Sequence, residues 1–271
     1  MANATASDYV LGYSDVEQDR LIRQAMLLAP ITERLFREAG IADGCRVLDI
    51  GSGIGDVSMI AARLVGTSGE VLGIERNGGF VARARERVAA IGFRNVTFVQ
   101  ADANAVTIRR SFDAVVGRFV LNHNPDPVAM LRSVTQLLIP RGVLALQEIA
   151  ASPALAIAAG LPLWSRVVTR IQEMIHKSGI KADGGLALCR IFQEAGLPGP
   201  HMHLDVPFTQ DASIARLEVD LLRSLADHNG ASLADLGDLE TLVERIHTEA
   251  VSARSAIAFM AIVSAWSRKA A

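Results

Sequence analysis

The chain has 271 residues, of which 50% are hydrophobic and 21% are charged, and its formal net charge at pH 7 is −2. Because acidic and basic residues are interspersed and nearly balanced, the composition argues against a nucleic-acid-binding surface. A hydrophobic chain of this length can bury one large core or two small ones.

The sequence predicts neither a targeting segment nor a membrane segment. Residues 1–8 lack the basic and apolar regions of a signal peptide. The most apolar stretch, residues 154–164, is too short to cross a bilayer. Cys45 and Cys189 lie far apart and have neither metal-binding nor redox spacing. We therefore expect a cytoplasmic protein without a membrane segment.

The first predicted element is a helix over most of residues 8–38. Ser14 is a candidate helix cap, and Glu17 three residues later is its capping-box partner. Gly40 is typical of the residue that ends a helix. The apolar face continues through Leu21, Ala25, Leu28 and Leu35.

A strand, a glycine-rich turn and a helix follow. Residues 47–50 predict a buried strand, and residues 57–65 predict a helix with one apolar face. Glycines at 51, 53 and 55 allow backbone to approach a ligand closely, and in α/β sheets nucleotides bind at this end of a strand. A dinucleotide fingerprint would need glycine at position 56, where this chain has Asp56. The pattern therefore predicts a nucleotide-like cofactor other than a dinucleotide.

Strands and helices continue to alternate through residue 150. Glu75 ends a second strand, where a carboxylate is suited to accept hydrogen bonds from a ribose diol. Residues 140–142 predict a turn. This alternation indicates a parallel sheet covered on both faces. The further predicted strands are 71–74, 96–99, 112–116 and 143–146, and the further helices are 80–91 and one beginning at 126–127.

The last third of the chain has a different pattern. Helices are predicted over 162–177, 186–195, 212–227 and 233–251, with Ser232 as a candidate cap of the last. Residues 201–208 and 256–266 predict two late strands, with the final strand reversed against the others.

Four segments resemble the cofactor motifs of the class I S-adenosylmethionine-dependent methyltransferases: residues 49–55, Glu75, residues 100–103 and residues 112–121. The resemblance is closest to the small-molecule group that includes the ubiquinone/menaquinone-type enzymes, and it is strong over about residues 40–150. It implies an α/β, Rossmann-like, doubly wound sheet of seven mostly parallel strands, the last antiparallel, plus a helical cap. We expect a single domain over 1–271, with the cofactor-binding core at about 40–150 and the cap at about 9–36, 153–180 and 211–252.

The resemblance also implies S-adenosylmethionine as cofactor and S-adenosylhomocysteine as product. Asp49 positions the loop in which Gly51 and Gly53 pass the methionine end, and Glu75 holds the ribose. The other residues that it implies are Ser52 in the loop, Arg76, Asp102 and Ala103 around the adenine, and Arg118 beside the methionine portion.

The topology of the amino-terminal helix adds Tyr13 and Gln24, which we expect to close over the cofactor.

His123 is the candidate general base, because it follows the fourth strand and imidazole ordinarily titrates near neutrality. The competing interpretation is that His123 only shapes the loop before a helix. Asn122 and Glu148 are weaker candidates for orienting the acceptor. The six histidines are scattered, and the sequence predicts no metal site.

The expected acceptor is a small, partly apolar molecule methylated on oxygen, nitrogen or carbon. Three alternatives stay open: a cofactor-binding protein that catalyses a non-methylation reaction or none, a nicotinamide-dependent oxidoreductase, and an interaction module. The sequence is compatible with a homodimer. Residues suited to line an acceptor pocket are Trp164, Met174, Phe208 and Leu221.

Overall fold

The computed structural model describes residues 15–106 and 108–271 of the chain. The helices are α1 (Asp15–Ala39), α2 (Asp56–Val65), α3 (Gly78–Ile91), α4 (Pro127–Thr135), α5 (Ser152–Ala158), α6 (Pro162–Lys177), α7 (Leu188–Glu194), α8 (Ser213–Asn229) and α9 (Leu242–Ser252). The strands are β1 (Arg46–Ile50), β2 (Glu70–Glu75), β3 (Val96–Gln100), β4 (Phe112–Arg118), β5 (Leu138–Ala150), β6 (His201–Asp205), β7 (Phe208–Thr209), β8 (Ile257–Ala258) and β9 (Ala261–Arg268).

Seven strands form one sheet in the order β3-β2-β1-β4-β5-β9-β6. β1 lies parallel between β2 and β4, with Asp49 opposite Gly73 on one side and Val116 on the other. β9 runs antiparallel to both β5 and β6. The mostly parallel, Rossmann-like sheet with a reversed last strand is therefore confirmed.

The centre of the sheet is apolar because parallel strands are covered on both faces. Leu48 on β1 and Val115 on β4 are completely buried. Helices α2 and α3 share a core cluster with Val47 on β1, through small and β-branched side chains that include Ala61, Val65, Val81 and Ala84.

The structure differs from the sequence prediction at several places. The strand predicted over 256–266 divides into β8, which pairs with β7, and β9, which belongs to the large sheet. β5 begins at Leu138 and includes the predicted turn at 140–142, where Arg141 has φ +64° and the pairing with β4 shifts register. The strand predicted over 201–208 divides into β6 and β7 near Pro207, which has no N–H to donate. The helix predicted from 233 begins at Leu242, after a 3₁₀ turn that ends at Gly237 (φ +75°).

The described residues form two compact units. One contains residues 25–150, 183–205 and 261–271 and holds the seven-stranded sheet. The other contains residues 15–24, 151–182 and 206–260, and includes α5, α6, α8 and α9 with the two-stranded β7–β8 sheet. The predicted cap segments 153–180 and 211–252 fall in this second, helical unit, while the single-domain assignment stays a prediction. Among the residues described, no helix has the length and hydrophobicity that a membrane span requires.

The helical unit buries ionisable groups. Arg20 donates to both carboxylate oxygens of Glu17, at 2.8 and 2.7 Å. Glu218 on α8 is 2% exposed, and its Oε1 has no hydrogen-bond partner among the described residues. Burial raises the pKa of Glu218 to about 7, although the charge of Arg20 opposes the rise. A small cavity beside Glu218 is lined by Trp164, Ile171 and Met260 among others.

The other residues proposed to line an acceptor pocket also lie in the helical unit, but they differ in how exposed they are. Met174 and Leu221 are buried with Trp164, whereas Phe208 on β7 is 73% exposed. Met202 and Leu204, from the same predicted alternation, are exposed as well, so this face of the strand does not line a buried pocket.

Glu218→Gln should make the helical unit less sensitive to pH. Because the folded-state pKa of Glu218 is raised from 4.5 to about 7, folding favours its protonated form, and the parent loses stability as pH rises between these values. From pH 5 to pH 8 this group lowers the parent's unfolding free energy by about 2–3 kcal/mol. The neutral amide removes that loss, which denaturant unfolding at both pH values measures.

The matched control for this experiment is Glu244→Gln, which removes an exposed carboxylate from the same unit. We expect it to follow the parent at both pH values. Equal pH dependence in Glu218→Gln and the parent would contradict the prediction.

Candidate functional site

The candidate site lies along one edge of the seven-stranded sheet. The order β2-β1-β4-β5 places four strand ends side by side, and parallel strands bring their carboxyl ends to the same edge. These ends carry the glycine loop after β1, Glu75 on β2, the turn after β4 and Glu148 on β5. Most residues that the sequence analysis selected are therefore brought together by the sheet topology.

The glycine loop approaches the turn after β4 closely at one position and is open at another. Gly51 has φ +61°, and a Cβ built there would lie 2.8 Å from Cγ2 of Val120. Gly53 has φ +52°, and a Cβ there would meet nothing within 4 Å. Gly51 thus makes room for Val120, while Gly53 borders open space beside exposed backbone.

The carboxylate of Glu75 is held by the glycine loop and by its own strand end. Its Oε2 accepts a hydrogen bond from the N–H of Gly53 at 3.1 Å, and its Oε1 accepts one from the N–H of Asn77 at 2.9 Å. Both oxygens keep a further lone pair for another donor. The structure therefore joins the loop and the β2 carboxylate, which the sequence selected separately.

Asp49 is a buried acid beneath the glycine loop, 1% exposed. Its Oδ2 accepts a hydrogen bond from the Ser58 hydroxyl at 2.5 Å, while its Oδ1 and the Ser52 hydroxyl have no partner among the described residues. Burial raises the pKa of Asp49 to about 7, and the Ser58 hydrogen bond and the charge of Arg118 oppose the rise. The interaction with Ser58 was not predicted, because the sequence pattern of α2 indicates only its apolar face.

Arg118 at the end of β4 is part of a polar network that crosses several strands. Its guanidinium donates to the Thr32 hydroxyl at 3.0 Å, and that hydroxyl lies 2.6 Å from Oε1 of Gln147. Burial lowers the pKa of Arg118, whereas the charges of Asp56 and Asp49 act in the opposite direction. Thr32 and Gln147 carry no motif by which sequence reasoning could have found them.

The turn after β4 is held by β5. Phe119 has φ +60°, unusual for a residue with a side chain, and its N–H donates to the carbonyl of Gln147 at 2.8 Å. Oε1 of Glu148 accepts hydrogen bonds from the N–H groups of Val120 at 2.9 Å and Leu121 at 2.7 Å. Burial raises the pKa of Glu148 to about 8, against the effect of these backbone donors.

His123 ends the 3₁₀ helix Leu121–His123 that follows. Burial lowers its pKa to about 4, and the positive charge of Arg76 lowers it further in the same direction. The pKa of His123 thus lies below the near-neutral value of unperturbed imidazole that contributed to its selection as a candidate base. The lowered pKa keeps the imidazole neutral throughout the physiological range.

The residues proposed to surround the adenine lie after β2 and β3. Arg76 is exposed, and its carbonyl accepts a hydrogen bond from Gln100 at 2.9 Å. Oδ1 of Asp102 accepts from the backbone N–H of Asn104 at 2.8 Å, which caps the short 3₁₀ helix beginning at Ala103. Part of the hydrogen-bonding capacity of Asp102 is thus used to shape its own loop.

Two further candidates, Gln24 and Tyr13, belong to the amino-terminal segment. Oε1 of Gln24, a residue of the helical unit, accepts a hydrogen bond from Arg20 at 2.8 Å. Tyr13 lies outside the described residues.

Asp56, the residue that argued against a dinucleotide, forms an ion pair with Arg87 at 2.7 Å.

Comparison with known families gives a match over more than half of the chain. Residues 41–196 match the family described as a methyltransferase domain. The matched segment contains the glycine loop, Glu75, the turn after β4 and Glu148.

Individual relatives show the same similarity over part of their length. The chain is 36% identical over 124 residues to an arsenite methyltransferase of Aquipseudomonas alcaligenes, an alignment that covers 43% of this chain and 36% of the relative. It is 31% identical over 144 residues to the ubiquinone/menaquinone biosynthesis C-methyltransferase UbiE of Edwardsiella ictaluri, covering 52% of this chain and 57% of the relative. The chain thus spans between about a third and somewhat over half of these two proteins.

A solved structure shows the same fold. A SAM-dependent methyltransferase from Aquifex aeolicus superimposes with a TM-score of 0.52 and 18% sequence identity, covering 72% of this chain and 92% of that protein.

Alanine at Gly51 should destabilise the fold more than alanine at Gly53. Both positions have positive φ, which costs an L-residue about 1–2 kcal/mol, but only Gly51→Ala also brings a methyl group against Val120. We expect Gly51→Ala to exceed Gly53→Ala by about 1 kcal/mol or more in lost unfolding free energy, measured by denaturant titration.

The added variant Val120→Ala in the Gly51→Ala background should recover part of that loss, because it makes room for the new methyl group. Equal losses for the two glycine variants, with no recovery, would contradict the close approach.

Proposed function

We propose, because this chain belongs to the class I S-adenosylmethionine-dependent methyltransferase family, that it transfers a methyl group to a small, partly apolar organic acceptor. The reaction is an in-line displacement that leaves S-adenosylhomocysteine as product. The two relatives described above are both methyltransferases, which favours methyl transfer over a cofactor site that is silent or serves another reaction.

The hydrogen bond from the Gly53 N–H to Glu75 is the observation that carries the cofactor assignment. It sets a carboxylate with free lone pairs beside a loop whose Gly53 borders open space. Two buried polar atoms of the same region, Oδ1 of Asp49 and Oγ of Ser52, have no partner among the described residues. An adenosyl ligand that carries a ribose diol and an amino-acid tail offers the donors that these acceptors lack.

Different residues are proposed to bind different parts of the cofactor. Glu75 accepts from the ribose hydroxyls, and Asp49, Ser52 and the backbone of Gly51 and Gly53 hold the methionine end. The adenine is bound by Arg76, Asp102 and the backbone of Ala103. Arg118 lies beside the methionine portion. Tyr13 and Gln24 close over the cofactor.

The bound cofactor supplies an electrophilic methyl group on a sulfonium. The protein then has to align the acceptor and keep water out. His123 is proposed to take the acceptor's proton when the acceptor holds one, because it follows the fourth strand. Its lowered pKa keeps the imidazole neutral but also makes it a weaker base. The competing role, shaping the loop before α4, predicts no effect of His123 on the chemical step.

The acceptor is proposed to be methylated on oxygen, nitrogen or carbon. The two relatives are named for unlike substrates, an arsenite and a quinone precursor, so similarity in the cofactor region does not select the acceptor. The nearly balanced net charge of −2 supports an enzyme without a nucleic-acid partner. We further propose a cytoplasmic location, in line with the lack of a disulfide spacing, and a homodimer.

Glu75→Ala should weaken binding of S-adenosylhomocysteine by about 1–3 kcal/mol, because the ribose hydroxyls lose their acceptor. Glu75→Gln keeps one acceptor oxygen and should lose less. Isothermal titration calorimetry measures both, and the parent should show no binding of NAD under the same conditions.

The control for the Glu75 variants is Glu70→Ala, which removes a carboxylate from the opposite end of the same strand and should bind like the parent. Parent-like affinity in both Glu75 variants would refute the ribose role, and NAD binding would favour the oxidoreductase alternative.

His123→Ala should lower turnover by about 10²-fold or more, with an unchanged affinity for S-adenosylhomocysteine. A labelled methyl donor incubated with a metabolite extract identifies the acceptor for this assay. Since the pKa of His123 is about 4, the parent's rate should be flat from pH 6 to 8 with respect to this group and fall only as pH approaches 4. Unchanged turnover at saturating acceptor would leave His123 with the loop-shaping role.

A further inference from the structure

Glu148 makes an unusual set of contacts for a side chain on a buried strand. It is completely buried on β5, and a single oxygen, Oε1, accepts hydrogen bonds from two successive backbone N–H groups, those of Val120 and Leu121. These N–H groups begin the 3₁₀ helix Leu121–His123, whose own preceding residue, Val120, provides no side-chain cap. Glu148 therefore caps this helix from the neighbouring strand.

The capped turn also touches the glycine loop. Val120 fills the space beside Gly51, where a Cβ would lie 2.8 Å from Cγ2 of Val120. The residue before it, Phe119, has φ +60° and is anchored by its N–H to the carbonyl of Gln147. A turn with a left-handed non-glycine residue persists only where its surroundings determine its conformation. Here those surroundings are the β5 backbone and the Glu148 side chain.

We propose that Glu148 is a positioning residue, which holds Val120 against Gly51 and so preorganises the glycine loop for the cofactor. Glu148 itself need not touch the cofactor. Without its acceptor oxygen, the buried N–H of Leu121 and the partly buried N–H of Val120 lose their partner, the turn can shift, and Val120 no longer limits the loop. The loop must then become ordered when the cofactor binds, and the free-energy cost of this ordering lowers the affinity.

The proposal requires an acceptor oxygen and not a negative charge. Burial raises the pKa of Glu148 to about 8, so the carboxyl is mostly protonated at neutral pH and still accepts through Oε1. Glutamine keeps a carbonyl oxygen on a side chain of the same length. Glu148→Gln is therefore the conservative variant and Glu148→Ala the disruptive one.

The first experiment measures amide hydrogen exchange of residues 51–55 in the protein without ligand. Glu148→Ala should raise exchange in this loop at least about tenfold, whereas Glu148→Gln should stay near the parent. Val120→Ala, which keeps Glu148 and its hydrogen bonds, should raise exchange in the same loop.

The second experiment measures affinity for S-adenosylhomocysteine by calorimetry. We expect Glu148→Ala to bind about tenfold or more weakly, Val120→Ala to weaken binding in the same direction, and Glu148→Gln to stay within about threefold of the parent. Thermal unfolding of each variant is measured alongside. A role in global stability alone would lower the melting temperature of Glu148→Ala and leave loop exchange and affinity unchanged.

This inference rests on the proposed function for its link to the cofactor. The two experiments distinguish a failure of the proposed function from a failure of the positioning role. A parent that does not bind S-adenosylhomocysteine refutes the proposed function, while loop exchange still decides the positioning role. Parent-like exchange in Glu148→Ala, or equal disruption by alanine and glutamine, overturns the positioning role. If Glu148→Ala does not fold, parent-like exchange in Val120→Ala overturns it.

Discussion

The parallel pairing of β1 with β2 and β4 is the constraint on which the site depends. Asp49 lies opposite Gly73 and Val116, so the backbone that follows all three strands emerges along one edge of the sheet. Gly73 also matters for close packing, because a Cβ there would lie 2.9 Å from the Ser52 hydroxyl and 2.5 Å from the Phe98 ring. A change of register by one residue would turn the side chains of Glu75 and Asp49 to the opposite faces of the sheet, and the residues of the site would no longer lie together.

The same edge concentrates buried polar atoms without partners. Among the described residues, Asp49, Ser52, Asn122 and Glu148 each have one such atom, and all four lie at or just after β1, β4 or β5. Burying a polar atom without a partner is unfavourable, so folded proteins seldom accumulate such atoms without a use for them. The raised pKa values of Asp49 and Glu148 express the same electrostatic cost. Under the proposed function, a site that binds a polar ligand accounts for their location.

Much of the sheet and part of the site were predictable because their signals are local. A run such as residues 47–50 followed by alternate glycines indicates a strand and a turn wherever it occurs, and Glu75 is recognisable by its place at the end of the next strand. Errors arose where local signals conflict with tertiary pairing. The turn signal at 140–142 lies within β5, and the apolar residues after 233 precede the helix that begins at Leu242.

The sequence by itself determined the alternation of strands and helices through residue 150, the glycine loop after the first strand and the family to which the chain belongs. Only the tertiary structure decided that Glu75 hydrogen-bonds Gly53, that Glu148 caps the turn carrying His123, and that Val120 packs against Gly51. It also decided the pKa of His123. An unperturbed imidazole titrates near neutrality, and burial lowers this pKa to about 4. The physical reason is that hydrogen bonds and desolvation depend on which distant segments are brought into contact, and local sequence patterns carry little information about those contacts.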